Sequence, residues 1–150
     1  MSEKHYSPRQ LDFETLIMVL AEEHRKMKAE LSNMKEAASR HDFAAIASAL
    51  KELDPIFRQH IADEESQILR LLIAELGVKG ATEEIRVFQQ HRPIHRLMQL
   101  VAELAAESAA EIENDQLRLN ELFLDHALLE ERNVFPKALG IYRDQRAADS

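Results

Sequence analysis

Five of the seven histidines in this 150-residue chain stand at spacings that can do coordination chemistry. His24 is single, His60 pairs with Glu64, His91 with His95, and His126 with Glu130, each partner four residues on. Residues four apart in a helix project from one face, so each pair would aim two donors at the same point. Imidazole nitrogen suits Zn, Cu, Fe and Ni, and a carboxylate can bridge two cations. Seven donors are too many for one four-coordinate zinc. They suit two metals about 3.5–4 Å apart, joined by carboxylate bridges with room for an oxo or hydroxo group. His5, in a polar N-terminal stretch, and His41, beside Asp42 in a turn, are expected to be solvated bystanders.

Taken singly these signals are weak. A lone histidine on an apolar face is more often a satisfied core residue than a ligand. His–Glu and His–His pairs at this spacing also occur on solvated helix faces. Chance does not readily put one His, then HxxxE, HxxxH and HxxxE, on the inward faces of four successive helices.

Helices must position these groups, and start and stop signals give four of them. The first runs from about Pro8 or Phe13 to Ala38, capped by Ser7 or Asp12. The second starts at the Asp42 cap and closes at Gly77, with Pro55 expected to kink or split it near Asp54. The third spans about Thr82 to Glu107, and Pro93 should bend it by freeing the carbonyl of Gln89. The fourth spans about Asn114 to Asn133, where the Phe135-Pro136 step is expected to end it; a short helix around Lys137 to Arg146 could follow. Four long helices with short links predict an all-α, antiparallel up-down-up-down four-helix bundle. A single domain over 1–150 is expected, with its core at about 11–136, an N-terminal arm at 1–10 and a C-terminal tail or short helix at 137–150.

The inward stripes follow from steps of three and four. They are Phe13, Ile17, Leu20, His24, Met27, Leu31 and Met34 in the first helix, and Ile46, Leu50, Leu53, Phe57, His60, Glu64, Ile68 and Leu71 in the second. The third gives Phe88, His91, His95, Met98, Ala102 and Ala105, and the fourth Leu119, Phe123, His126, Glu130 and Val134. Every helix interrupts an apolar stripe with ionisable residues near its middle. Burying each without a partner costs several kcal/mol. Seven together would exceed the ~5–15 kcal/mol net stability of a typical domain. Bound metal satisfies all seven at once.

Composition sets the remaining bounds. Apolar residues are 45% and charged residues 31%, with only 3 Gly, 4 Pro and 5% aromatics, a balance that favours helix. A formal charge of −8 repels phosphate backbones and anionic lipid, so neither nucleic acid nor a membrane surface is an expected partner. No apolar run reaches the ~20 residues of a membrane span. No secretory leader is evident, and a cytoplasmic location is expected. There is no cysteine, which leaves out disulfide and thiol chemistry.

The segments Ala21-Glu-Glu-His-Arg-Lys-Met27, His60-Ile-Ala-Asp-Glu-Glu65, His91-Arg-Pro-Ile-His95 and His126-Ala-Leu-Leu-Glu-Glu-Arg-Asn-Val-Phe-Pro136 resemble the hemerythrin family, including its bacterial hemerythrin-like (HHE-type) domains. The likeness covers about Phe13 to Pro136. It implies two iron ions, one served by His91, His95 and His126 and the other by His24 and His60, bridged by Glu64 and a carboxylate after His126. The iron with two histidines would keep an open position for O2, peroxide, azide or NO. Hemerythrins proper place an Asp five residues after the last histidine, whereas many hemerythrin-like relatives place a Glu four residues after it. This chain offers Glu130 and Glu131. At about 100° per residue a regular helix favours Glu130 over Glu131, and Glu64 over Glu65; only a local distortion would reverse this.

The resemblance implies a protein that binds O2 or NO for sensing, storage or transport. The alternative is a di-iron redox enzyme that removes NO or peroxide, or supplies iron for iron–sulfur repair; the absence of cysteine lowers the repair version. A helical adaptor whose histidines pair without metal is disfavoured by the ligand count. A carrier needs a dry pocket, which Phe123, Leu20 and Met98 could line. An enzyme needs a proton source such as Tyr6 or Tyr142.

Overall fold

The computed structural model describes residues 6–149, so His5 lies outside the described residues. Four helical arms follow one another. The first is α1 (Phe13–Ser39), whose Asp12 cap accepts from Thr15 N at 3.3 Å. The second comprises α2 (Phe43–Asp63), a π-helical segment Glu64–Leu69 and α3 (Arg70–Gly80). Its Asp42 cap accepts from Ala45 N at 3.1 Å. The third comprises α4 (Thr82–Gln89) and α5 (His91–Ala106). The fourth comprises α6 (Ile112–Leu129), a second π-helical segment Glu130–Val134 and α7 (Phe135–Asp149).

The short connections at 40–42, 81 and 107–111 force successive arms to run antiparallel. Helix α1 packs on α2 and α6, and α5 packs on the same two, which closes a four-helix bundle in sequence order. Gly77 marks the end of the second arm's regular helix with φ 74°, a backbone that L side chains avoid.

Two helix expectations need correction and one holds. Pro55 lies on the exposed face of α2 and neither ends nor splits it, and the helix continues to Asp63. The third arm breaks where Pro93 frees the Gln89 carbonyl, as expected: α4 ends at Gln89 and α5 begins at His91. The fourth arm does not stop at Pro136. The chain passes through the π-helical segment and Pro136 falls in the first turn of α7, where the missing N–H costs least. The C-terminal helix is therefore a full 15 residues, and its Ala138 is buried.

The core is two apolar clusters with a polar layer between them. One holds Met27, Leu31, Leu53, Phe57, Ile94, Met98 and Phe123, and the other holds Leu16, Leu20, Ile68, Leu72, Phe88, Val134 and Phe135. In each arm the chain crosses from one cluster to the other within a few residues of a buried histidine: His24, His60, His91 or His126.

Candidate metal centre

Six ionisable side chains form that layer. His24, Glu64 and Glu130 have no exposed surface, and His60, His91 and His126 have almost none. Glu130 lies at the middle, its Oε1 at 2.9 Å from His24 Nε2, 3.1 Å from His126 Nε2 and 3.9 Å from His60 Nε2. Glu64 Oε1 stands 2.9 Å from His60 Nε2 and 3.3 Å from His91 Nε2. Two overlapping donor sets result: Glu64, His91, His126 and Glu130, and His24, His60 and Glu130, with the donor atoms of each within 4.8 Å of one another.

These contacts are close without being satisfied. His60 Nε2, His91 Nε2, both oxygens of Glu64 and Oε2 of Glu130 are buried and have no hydrogen-bond partner. Orphaned buried polar atoms each cost ~1–3 kcal/mol, and here they converge on shared space. Imidazole nitrogens and carboxylate oxygens are the donors a transition-metal pair takes. The residues present fit such a group.

The four histidines share a second regularity. Each turns Nε2 into the centre and donates its Nδ1–H outward: His24 to Glu131 (3.0 Å), His60 to Glu23 (3.1 Å), His91 to Glu65 (3.2 Å) and His126 to Gln90 Oε1 (2.9 Å). An acceptor on the outer nitrogen fixes the tautomer and makes the inner one a better ligand. Glu23 and Gln90 escaped the sequence reading. A signal existed for Glu23, an acidic residue next to His24, but none for Gln90, whose role depends on which helix lies opposite.

The π-helical segments explain the paired glutamates. Both begin at the inner carboxylate, Glu64 or Glu130, and the next residue belongs to the widened turn. Glu65 and Glu131 therefore stand at the rim, their side chains 49% and 32% exposed, each reaching a histidine of another helix. The distortion is present, yet the inner position stays with Glu64 and Glu130. It also moves the stripe on, so that Leu72 rather than Leu71 is buried.

His95 is the exception to the expected set. Its side chain is 28% exposed, with Nε2 at 3.8 Å from Asp54 Oδ1 and 3.4 Å from Arg58 Nη2, and its ring lies parallel to Phe57. From His91 the buried face of α5 continues through Ile94, Met98 and Val101, while Ala102 is exposed. Both phases alternate steps of three and four, and they differ by one residue, or about 100°. The apolar residues Ile94 and Val101 were the available signal. His95 thus stands outside both donor sets, each of which holds two histidines. His41 is exposed in its turn, at φ 53°. His91→Ala is expected to lose bound metal, whereas His95→Ala and His41→Ala should keep the full complement. Metal analysis after gel filtration reads this, and depletion in His95→Ala would restore the five-histidine set.

Charge within the layer is balanced by protons when no metal is bound. Burial disfavours charge on His91, but the carboxylate of Glu64 at 3.3 Å and the hydrogen bond to Glu65 outweigh it and raise the pKa to about 9. Burial likewise opposes charge on His60, and Glu64 with the flanking carboxylates holds it well above the usual imidazole range. Burial would raise Glu130, yet the imidazoles of His126 and His24 within 3.1 Å, with His60 at 3.9 Å, hold it well below the carboxylate range.

A four-helix bundle whose core is divided by a layer of convergent imidazoles and carboxylates defines a helical-bundle cation-binding protein. The sequence signature described as "Hemerythrin HHE cation binding domain" matches residues 15–138, and the chain belongs to that family. Searches of curated proteins and of solved structures gave no significant match. Among the described residues, no helix is long and apolar enough to cross a membrane.

Proposed function

We propose that this is a non-haem di-iron protein that binds O2 or a related small ligand, NO or peroxide, for sensing, storage or transport. His24, His60, Glu64, His91, His126 and Glu130 would hold the two iron ions, with Glu130 common to both donor sets. Bound iron would supply the redox-active position at which a diatomic ligand is held. The observation that carries this reading is the convergence of orphaned buried donors in one layer. The chain's own residues orient the histidines through Glu23, Glu65, Glu131 and Gln90. Aromatic rings exclude water: Phe123 and Phe135 flank His24, while Phe57 and Phe88 flank His91. A dry wall of this kind protects a bound ligand from side reactions with water.

A cavity of about 260 Å³ reaches His91 from outside, lined by Tyr6, Arg58, Ile61, Glu65, His91, Arg92 and His95. It supplies a route for a small ligand. Its Tyr6 also favours a second reading, a redox enzyme with a proton donor beside the centre. Tyr142 does not serve, because it stacks on Phe13 and its OH donates to Asp12 on the outer surface.

Anaerobic reconstitution with ferrous iron should give about two irons per chain, and optical spectra should change on adding O2 or NO. Less than about one iron per chain would overturn the di-iron reading. Consumption of peroxide or NO over many turnovers, suppressed in Tyr6→Phe, would favour the enzyme.

A further inference from the structure

Residues 7–9 lie across the rim of the centre. The Ser7 carbonyl accepts from Gln59 Nε2 at 2.8 Å and the Arg9 carbonyl from Gln67 Nε2 at 3.1 Å, so the arm is fixed to the second helical arm on both sides of Glu64. Between these anchors the Arg9 backbone N–H donates to Asp63 Oδ1 (2.8 Å) and its Nε to Asp63 Oδ2 (2.6 Å). Arg9 Nη2 donates to both oxygens of Glu23 at 3.0 Å. Asp63 is fully buried and precedes Glu64; Glu23 is buried and precedes His24. Glu23 Oε1 is also the acceptor of the His60 Nδ1–H.

Two buried carboxylates side by side need a cation, and among the described residues no other Lys or Arg pairs with either one. The planar guanidinium fork serves both at once. Arg9 with Gln59 also occupies both oxygens of Asp63, which keeps this buried acid out of the donor layer.

We propose that Arg9 is a positioning residue for the metal centre: it clamps Glu23 against Asp63, so that Glu23 holds the His60 ring with Nε2 turned inward. This rests on the metal reading above. Without the guanidinium, Glu23 loses its counter-ion and His60 loses the fixed acceptor that sets its tautomer. The other three histidines keep theirs, because Glu131, Glu65 and Gln90 do not touch Arg9. The defect is therefore specific to His60.

The test uses the full chain loaded with Co2+, comparing the unaltered protein with Arg9→Ala and Arg9→Lys. Cobalt content, the rate of loss to EDTA and the hyperfine-shifted ring N–H proton resonances are measured. Arg9→Ala should speed cobalt loss by about 10–100-fold, the usual effect of removing an outer hydrogen-bond partner. It should move the His60 N–H signal or expose it to solvent exchange, leaving those of His24, His91 and His126 in place. Arg9→Lys should recover part of the retention, since it supplies the charge without the fork. An unchanged loss rate and His60 signal would overturn the proposal. So would equal displacement of all four signals with a lower melting temperature, which would make Arg9 a general structural contact. If the unaltered protein takes up no cobalt, the metal reading itself falls, and this proposal with it.

Discussion

Glu130→Ala is expected to abolish metal retention and to lower the melting temperature of the metal-free protein by on the order of 10 °C. Glu130 is fully buried and its Oε1 lies within 3.1 Å of His24 and His126 and 3.9 Å of His60. It is also the one residue common to both donor sets. Removing it takes a ligand from each metal position at once. Without metal it takes the negative partner from buried imidazolium groups, and breaking such a pair costs ~3–5 kcal/mol. In a domain of this size each kcal/mol is about 2–4 °C. Glu131→Ala is the matched control. Glu131 is partly exposed and touches only the outer nitrogen of His24, with Lys28 at 3.8 Å. It should keep both metals and weaken their binding by about 10–100-fold. Metal analysis and calorimetric melting of the two variants decide the matter; the reverse ranking would put Glu131 in the bridging position.

The second large effect is on pH. Without metal, His91 titrates at about 9 and His60 well above 6.5, so both carry protons at neutral pH. A protonated nitrogen cannot bind metal, so loading must expel these protons. Metal uptake at pH 7 should release about two protons per chain, and apparent affinity should rise with pH through the His91 value of about 9.

Metal-free stability should run the other way. A raised histidine pKa stabilises the fold fully below the unfolded value of 6.5, and this is lost as pH rises through the folded value. For His91 the span from 6.5 to about 9 is worth about 3 kcal/mol. Glu130, with its lowered pKa, stabilises the fold above the unfolded value of 4.5 and loses that as pH falls. The metal-free melting temperature should therefore peak between about pH 4.5 and 6.5 and decline toward 9, while the metal-loaded protein gains over that alkaline range. Parallel melting curves across pH, with and without metal, read this directly. A metal-free protein that gains stability from pH 6.5 to 9 would show that the layer is not held by protonated histidines.

The residues of this site divide by what sets them. Helical periodicity alone picked out His24, His60, Glu64, His126 and Glu130, because each interrupts an apolar stripe in a helix with clear caps. The same periodicity preferred Glu130 to Glu131, since an i,i+4 spacing returns to the same face whatever the partner helices do. Four helices joined by short turns likewise left little choice but an antiparallel bundle. The phase of α5 was open, because His91–Ile94 and His91–His95 are both legitimate steps. Only packing against α2 and α6 seats Ile94 and Val101 inside and leaves His95 beside Asp54 and Arg58. The π-helical segments were closed to local reasoning, and the first of them moves the buried position from Leu71 to Leu72. The outer partners Glu23, Glu65, Glu131, Gln90 and Arg9 come from other elements, up to 107 residues away in the case of His24 and Glu131. Where a helix offers a single apolar phase, local sequence determines which side chains face inward. Which atoms then meet across the bundle depends on contacts between distant elements, and only the tertiary structure decides those.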